Sequence, residues 1–355
     1  MSEIKYRNII ADDNSLVPVV PDVPLWNETM ICTSDDPVTG ISSSFYIGRW
    51  WGKPTTLRQM VTFLLPGDRG LFARNYGPCP KDGPPSVAGL TMEPIGPCKI
   101  RYTYDGPMEL RKQSKVAQDG VGTGPSVRVE MDFTFSSKLP IWDMHANDTH
   151  GDEGDLMFPG GHMEQLGGVS GTVKFNGETI TIKDSPTIRD HSRGVRDFIR
   201  HHFHLWINCQ FPSGWGFCGF RANVRGQSEP AMNTAALMKD GKVIPAMLET
   251  NGQTVPGSDI WQPFEVTLKP EGMKPIHIKV VRLWQCYHIG MYDPADVYWG
   301  APACADDPKA TWSMEQAMEV RVDGETGFGH LERCNRDIVV DDHWRSMCVP
   351  GKMDR

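Results

Sequence analysis

Val127-Arg128-Val129-Glu130-Met131-Asp132-Phe133-Thr134-Phe135 decides the fold. Apolar and polar residues alternate without a break, so Val127, Val129, Met131, Phe133 and Phe135 share one face and Arg128, Glu130, Asp132 and Thr134 the other. That is the pattern of a strand with one face in a core. Working outward, short runs of the same kind are separated by turn residues. Asn176-Gly177 divides Val173–Phe175 from Thr179–Ile182, and Asp240-Gly241 divides Ala236–Met238 from Val243-Ile244. Asp323-Gly324 follows Val320–Val322, and Lys269–Gly272 links Phe264–Leu268 to Ile276–Trp284. Asn-Gly and Asp-Gly between alternating runs are hairpin signals. A 3.6-residue period is expected only in a short helix around Ser313–Met318. The chain therefore reads as all-β, built as an antiparallel barrel or sandwich.

With 355 residues the chain is long for one core and comfortable for two. Lys138–Gly161 is polar, rich in Gly, Asp and His, and poor in alternation. It places the expected boundary between domains 1–160 and 161–355. A net charge of −8, with no local run of Lys and Arg, argues against a nucleic-acid partner. Met1–Asp13 contains no apolar segment suited to a signal peptide, and no stretch approaches a membrane span. Nine scattered cysteines without a Cys-x-x-Cys pair suggest reduced thiols, and hence a cytoplasmic protein. The chain shows no phosphate-cradling glycine turn entering a helix, no Gly-x-Ser-x-Gly elbow, no His-Glu-x-x-His and no cysteine metal cluster. No organic cofactor and no metal are expected. Homo-oligomerisation is left open.

Three stretches concentrate chemistry. Arg189-Asp190-His191-Ser192-Arg193-Gly194-Val195-Arg196-Asp197 is expected at a sheet end, as a turn after one strand and before another. It is either a solvated ion-pair network or a site where burial shifts a carboxyl or imidazole toward catalytic use. In His201–Asn208, a strand sets His202, His204, Trp206 and Asn208 on one face. That face is either a polar cavity wall or the start of a metal site, for which no Glu or Asp lies at matching local spacing. Trp142–Glu153 has two histidines and several carboxylates, but lacks the ligand spacing of a calcium loop.

His162-Met163-Glu164-Gln165-Leu166-Gly167-Gly168-Val169-Ser170-Gly171, followed by the Arg-Asp-His-Ser element at Arg189–Ser192, resembles the carotenoid 1,2-hydratase and AttH-like superfamily. Trp26-x-Glu28, Gly48-Arg49 and the late Gly327–Arg333 fit the same group. Arg193 departs from the pattern, standing where the family usually has tryptophan. The resemblance implies tandem lipocalin-like β domains and an apolar small-molecule ligand at or between them. It implies alkene hydration, isoprenoid chemistry or pericyclic folding of polyenes without an organic cofactor. On that reading Asp190 is the acid and His191 its partner or the base that activates water. His204 is an alternative acid, and Arg189 and Arg196 orient the substrate. Trp206, His162 and Glu164 complete the substrate site, with Trp206 able to stabilise a cation on its face. The activity expected is a hydratase, dehydratase or isomerase acting on a terpenoid-, steroid- or prenyl-like alkene or allylic alcohol. A non-catalytic carrier and a pericyclase are the alternatives.

Overall fold

The computed structural model describes residues 14–144, 161–196, 201–224, 229–250, 263–292, 296–299 and 311–335. The chain divides into two compact units. The first contains β1 (Trp26–Asp36), β2 (Ile41–Trp50), β3 (Thr56–Leu65), β4 (Arg69–Pro78), β5 (Ser86–Val87), β6 (Leu90–Gly96) and β7 (Lys99–Lys112). It continues with β8 (Ser126–Ser136), β9 (Trp142–Asp143), β10 (His162–Phe175) and β11 (Glu178–Val195). Neighbours run β4-β3-β2-β1-β11-β10-β8-β7, and β7 pairs back onto β4. Eight antiparallel strands thus close into a barrel, which leaves no open sheet edge along that circuit.

The second unit opens with α1 (Gln113–Asp119) and contains β12 (His201–Phe211), β13 (Trp215–Val224), β14 (Met232–Lys239), β15 (Lys242–Thr250) and β16 (Phe264–Pro270). Its remaining strands are β17 (Ile276–Tyr292), β18 (Asp296–Trp299), β19 (Thr311–Val322) and β20 (Glu325–Asn335). The order β16-β15-β14-β13-β12-β20-β19-β17 closes through β16–β17 into a second eight-stranded barrel. The tandem lipocalin-like architecture expected from the sequence is what the chain adopts.

The alternation in Val127–Phe135 becomes packing. Val129, Met131, Phe133 and Phe135 lie in the first core, where Phe45, Phe63 and Phe133 meet edge to face with centroids 5.7–6.2 Å apart. Phe203, Leu205, Ile207, Cys209 and Phe211 supply the matching face of β12 to the second core. The hairpins form as read. Phe175 pairs with Glu178, Lys239 with Lys242 and Val322 with Glu325, so each loop has two residues. Asn176 and Gly177 have φ of 47° and 77°, the left-handed pair a type I′ turn requires.

Three expectations need correction. The boundary drawn at residue 160 assigns β10 and β11 to the second half, yet they pair with β8 and β1 and complete the first barrel. Arg189–Val195 is not a turn but the end of β11, in register with Trp26–Cys32. Ser313–Met318 is strand, paired on both sides in the second barrel; its local pattern was overridden by two neighbours.

Gly329 on β20 sits against β12 so closely that a Cβ there would lie 1.9 Å from the Asn208 carbonyl oxygen and 2.7 Å from Cys209 Cα. Both obstacles are backbone and cannot rotate away. Gly329→Ala should therefore lower stability by about 1–3 kcal/mol or more, read as a fall in the urea midpoint. An unchanged midpoint would show that β20 does not lie this close to β12.

Candidate functional site

Because side chains alternate along a strand, each barrel presents two chemically different faces along β10–β11 and β12. In the second unit, the face of β12 opposite the core carries His204, Trp206 and Asn208. Register places Cys334 beside His204, Glu332 beside Trp206 and His330 beside Asn208 on β20. On β19, Ser313 stands beside Cys334, Glu315 beside Glu332 and Ala317 beside His330. Three neighbouring strands thus bring two carboxyls and two imidazoles together on one face.

All four groups are removed from bulk water. Glu315 is 6 % exposed, His204 4 % and His330 2 %, while the Glu332 side chain, at 17 %, is the most accessible. Glu315 Oε2 lies 2.7 Å from His330 Nε2, and the Ser313 hydroxyl donates to Glu315 Oε1 at 2.9 Å. His204 Nε2 makes a short hydrogen bond with Glu332 Oε1. The Trp206 ring meets His330 edge to face at 5.8 Å, and Phe220 packs on His204 at 5.0 Å.

Proximity drives the two carboxyls apart electrically. Burial, and then the negative charge of Glu332, push Glu315 up to about 8, against which its hydrogen bonds to His330 and Ser313 count for less. Burial acts on Glu332 in the same direction, but the charge and hydrogen bond of His204, a hydrogen bond from Glu315 and the charge of His330 outweigh it. Glu332 is held below the ordinary carboxylate range. Two like charges in one low-dielectric site do not both ionise, so one carboxyl keeps its proton. At neutral pH the cluster contains a proton-loaded acid, Glu315, next to an ionised base, Glu332.

His204, Glu332 and Cys334 also place donor atoms within 4.8 Å of one another. Glu332 supplies the carboxylate that the local sequence around His204 lacked. Burial, followed by the charges of Glu332 and Glu315, holds the Cys334 thiol well above its usual range.

The first unit distributes the sequence candidates over both faces of β11. Asp190 and His191 are consecutive on a strand and point opposite ways, so they do not act on each other as expected. Asp190 Oδ2 lies 3.3 Å from His162 Nε2, and Glu164 Oε1 lies 3.4 Å from the same nitrogen. Asp190 Oδ1 is buried and has no hydrogen-bond partner among the described residues. His162, Glu164 and Asp190 therefore form a second carboxyl–imidazole cluster. On the same side, Arg196 Nη2 donates to Ser192 Oγ at 2.5 Å and to Thr29 Oγ1 at 3.2 Å.

His191 faces the barrel interior with Arg189 and Arg193. Its Nε2 lies 3.0 Å from Glu28 Oε1, and Arg49 Nη2 reaches Glu28 Oε2 at 2.8 Å. Burial alone would raise Glu28; the His191 hydrogen bond and the charges of His191, Arg49 and Arg193 overcome it and hold the carboxyl below its ordinary range. Arg193 adds a second guanidinium beside that of Arg49, 3.8 Å from Glu28. Arg189 donates to Gln165 Oε1 at 2.8 Å and stacks over Phe135 at 5.5 Å.

Of the sequence candidates, His204 and Trp206 join the second-unit cluster, His162, Glu164 and Asp190 meet in the first, and Arg189 and His191 line the first interior. The side chain of His202 and most of the Trp142–Glu153 stretch lie outside the described residues; Trp142 is buried and Glu164 stands opposite it. Sequence reasoning missed Glu315, Glu332 and His330 as site residues. His330-x-Glu332 and Ser313-x-Glu315 have strand spacing, and the helical reading of Ser313–Met318 concealed the second pair.

Residues 11–289 match the family model described as a domain of unknown function, DUF7064. The chain belongs to the DUF7064 family. No curated protein matches this DUF7064 chain significantly. Among solved structures its fold is similar to a candidate AttH protein of Nitrosomonas europaea, with a TM-score of 0.59 at 12 % identity over 93 % of this chain and 97 % of that one. It is similar to kievitone hydratase of Nectria haematococca, with a TM-score of 0.50 at 12 % identity over 90 % and 94 %. It is also similar to CghA, with a TM-score of 0.54 at 10 % identity over 94 % and 93 %. At these identities the likeness establishes for the DUF7064 chain the tandem-barrel fold of the AttH-like group. No helix among the described residues is long and apolar enough to cross a membrane.

Proposed function

We propose that the protein is a proton-transfer enzyme that adds water to, removes it from, or isomerises an alkene or allylic alcohol on an apolar terpenoid-, steroid- or prenyl-like molecule. The observation that carries this reading is the Glu315–Glu332 pair, one carboxyl protonated and the other ionised, each with its own histidine. Hydration of an alkene needs an acid for carbon and a base for water, and these are the two states the pair maintains at neutral pH. Glu315 supplies the proton that passes to carbon, and ionised Glu332, at the accessible end of the cluster beside His204, accepts the proton that the attacking water gives up. The cation is shielded by Trp206. Water then attacks it, and the proton it sheds returns to the cluster. Addition and removal of water are redox-neutral, so the balance calls for no cofactor. Asp190, with His162 and Glu164, is proposed as a second acid–imidazole set in the first unit, and Arg196 as an orienting group.

Incubation in D2O with terpenoid, steroid and prenylated alkenes and allylic alcohols tests the reading by mass spectrometry. The expected product gains or loses water, or shifts its double bond, and incorporates carbon-bound deuterium when the alkene is protonated. His204→Asn should slow that incorporation by about 10²-fold or more. Tight binding across the panel without any product would instead identify a carrier, and product formed without solvent deuterium would identify a pericyclase.

A further inference from the structure

Cys334 stands directly beside His204 across the β12–β20 ladder, and Glu332 is two residues from Cys334 on the same face of β20. A ring nitrogen of His204, a carboxylate oxygen of Glu332 and Cys334 Sγ lie within 4.8 Å of one another. Cys334 is a free, wholly buried thiol, and no step of the proposed chemistry uses it. Two paired strands carry all three donors, so the backbone fixes their spacing. Neighbours hold the side chains as well: Phe220 packs on the His204 ring at 5.0 Å, and Glu315 donates a hydrogen bond to Glu332. Supports of this kind orient the ligands of a metal ion. The Glu332 side chain, 17 % exposed, gives the cluster an edge toward solvent.

We infer that His204, Glu332 and Cys334 form a site for a thiophilic divalent cation, with Zn²⁺ the best match, and that its binding stops the proton transfer proposed above. One imidazole nitrogen, one carboxylate oxygen and one sulfur are a three-ligand zinc set, with the fourth position left to water. Ligand bonds of about 2.0–2.3 Å put the donors of a tetrahedral ion roughly 3.3–3.6 Å apart. The three atoms therefore close onto an ion by side-chain movements of about 1 Å. Sulfur and imidazole select Zn²⁺ over Mg²⁺ and Ca²⁺, which take oxygen ligands. Binding leaves the charge of the buried cluster unchanged. The thiol proton of Cys334 and the Nε2 proton of the His204 imidazolium pass to solvent, and Zn²⁺ enters with their two charges. Sulfur, nitrogen and oxygen each give an electron pair to the ion, and nothing is oxidised or reduced. Glu332, neutralised by the ion, is no longer the base that accepts the proton of water. The inhibition rests on that reading of Glu332; the metal site does not.

Titration with Co²⁺ followed by absorption, and displacement of that ion by Zn²⁺, tests the site without any substrate. Co²⁺ should bring up a thiolate-to-cobalt charge-transfer band and the strong visible bands of a four-coordinate ion. Zn²⁺ should remove both, and a large excess of Mg²⁺ should not. Cys334→Ser should lose the charge-transfer band, and Zn²⁺ affinity should fall by about 10²-fold or more in it and in His204→Asn. His204→Asn decides the matter where Cys334→Ser fails to fold. Glu315→Gln, whose amide still donates to Glu332, should bind Zn²⁺ like the parent. Equal Zn²⁺ affinity in the parent and either folded ligand variant, or Co²⁺ bound to the parent with no thiolate band, would overturn the site. Zn²⁺ should also suppress the solvent-deuterium uptake of the parent and spare that of Cys334→Ser. Uptake unaffected by an ion that the spectra place on Cys334 would overturn the inhibition. A chain that turns over no alkene would count against the proposed enzyme and its inhibition together, with the spectra still deciding the metal site.

Discussion

Glu315→Gln should abolish most of the proton transfer to carbon, lowering turnover and solvent-deuterium uptake by about 10²–10⁴-fold while the barrel stays folded. Glutamine keeps the shape of the side chain and still bonds to Ser313 and Glu332, but has no proton to give. The same substitution carries a signature in stability. The carboxyl is raised in the folded protein, to about 8 from an ordinary 4.5, so the folded state holds a proton the unfolded chain has released. Its contribution is fully present below pH 4.5, and is lost as pH rises through 8. The parent should therefore lose stability between those limits more steeply than Glu315→Gln, by a few kcal/mol. Parallel stability profiles, measured by urea unfolding across that window, would place the acid elsewhere.

Glu28→Gln should cost about 3–5 kcal/mol, the penalty of leaving buried cations without their counter-charge. Glu28 is wholly buried, and His191, Arg49 and Arg193 all lie within 3.8 Å of its oxygens. The sign of the pH dependence is opposite to that of Glu315. The Glu28 carboxyl is lowered on folding, so its contribution is present above 4.5 and disappears as pH falls below that value. The parent should show an acid-side loss of stability that Glu28→Gln lacks. Because Glu28 also accepts the Val17 N–H, the variant should loosen the segment around Val17 as well, seen as earlier cleavage by a protease near Leu16. A variant within 1 kcal/mol of the parent in urea unfolding would show that these cations are satisfied some other way.

The architecture was largely legible because it rests on local signals. Alternation in Val127–Phe135 gave a strand and its buried face, and Asn176-Gly177, Asp240-Gly241 and Asp323-Gly324 gave two-residue hairpins, since few dipeptides accept two left-handed positions. The domain boundary was not legible. Whether β10 and β11 pair with β8 or with β12 is a matter of long-range register, and the polar stretch before them says only that the chain crosses a gap. The site divided along the same line. His204 and Trp206 were visible from their spacing on one strand, and His162, Glu164 and Asp190 from the motif that includes them. Their partners were not, because Glu315 and Glu332 become a coupled pair only when β19 and β20 lie side by side. Asp190 and His191 do not pair for a local reason: the charged run is strand and not a turn, and neighbours on a strand face opposite ways.

A carboxyl-carbon NMR titration of protein labelled with ¹³C in its glutamates, with Glu315→Gln to assign the signal, tests the account at its root. Glu315 should titrate near 8, with Glu332 already ionised well below neutrality. A Glu315 signal that titrates with the exposed glutamates, in the ordinary carboxylate range, would leave the cluster without an acid at neutral pH and contradict the proposed chemistry.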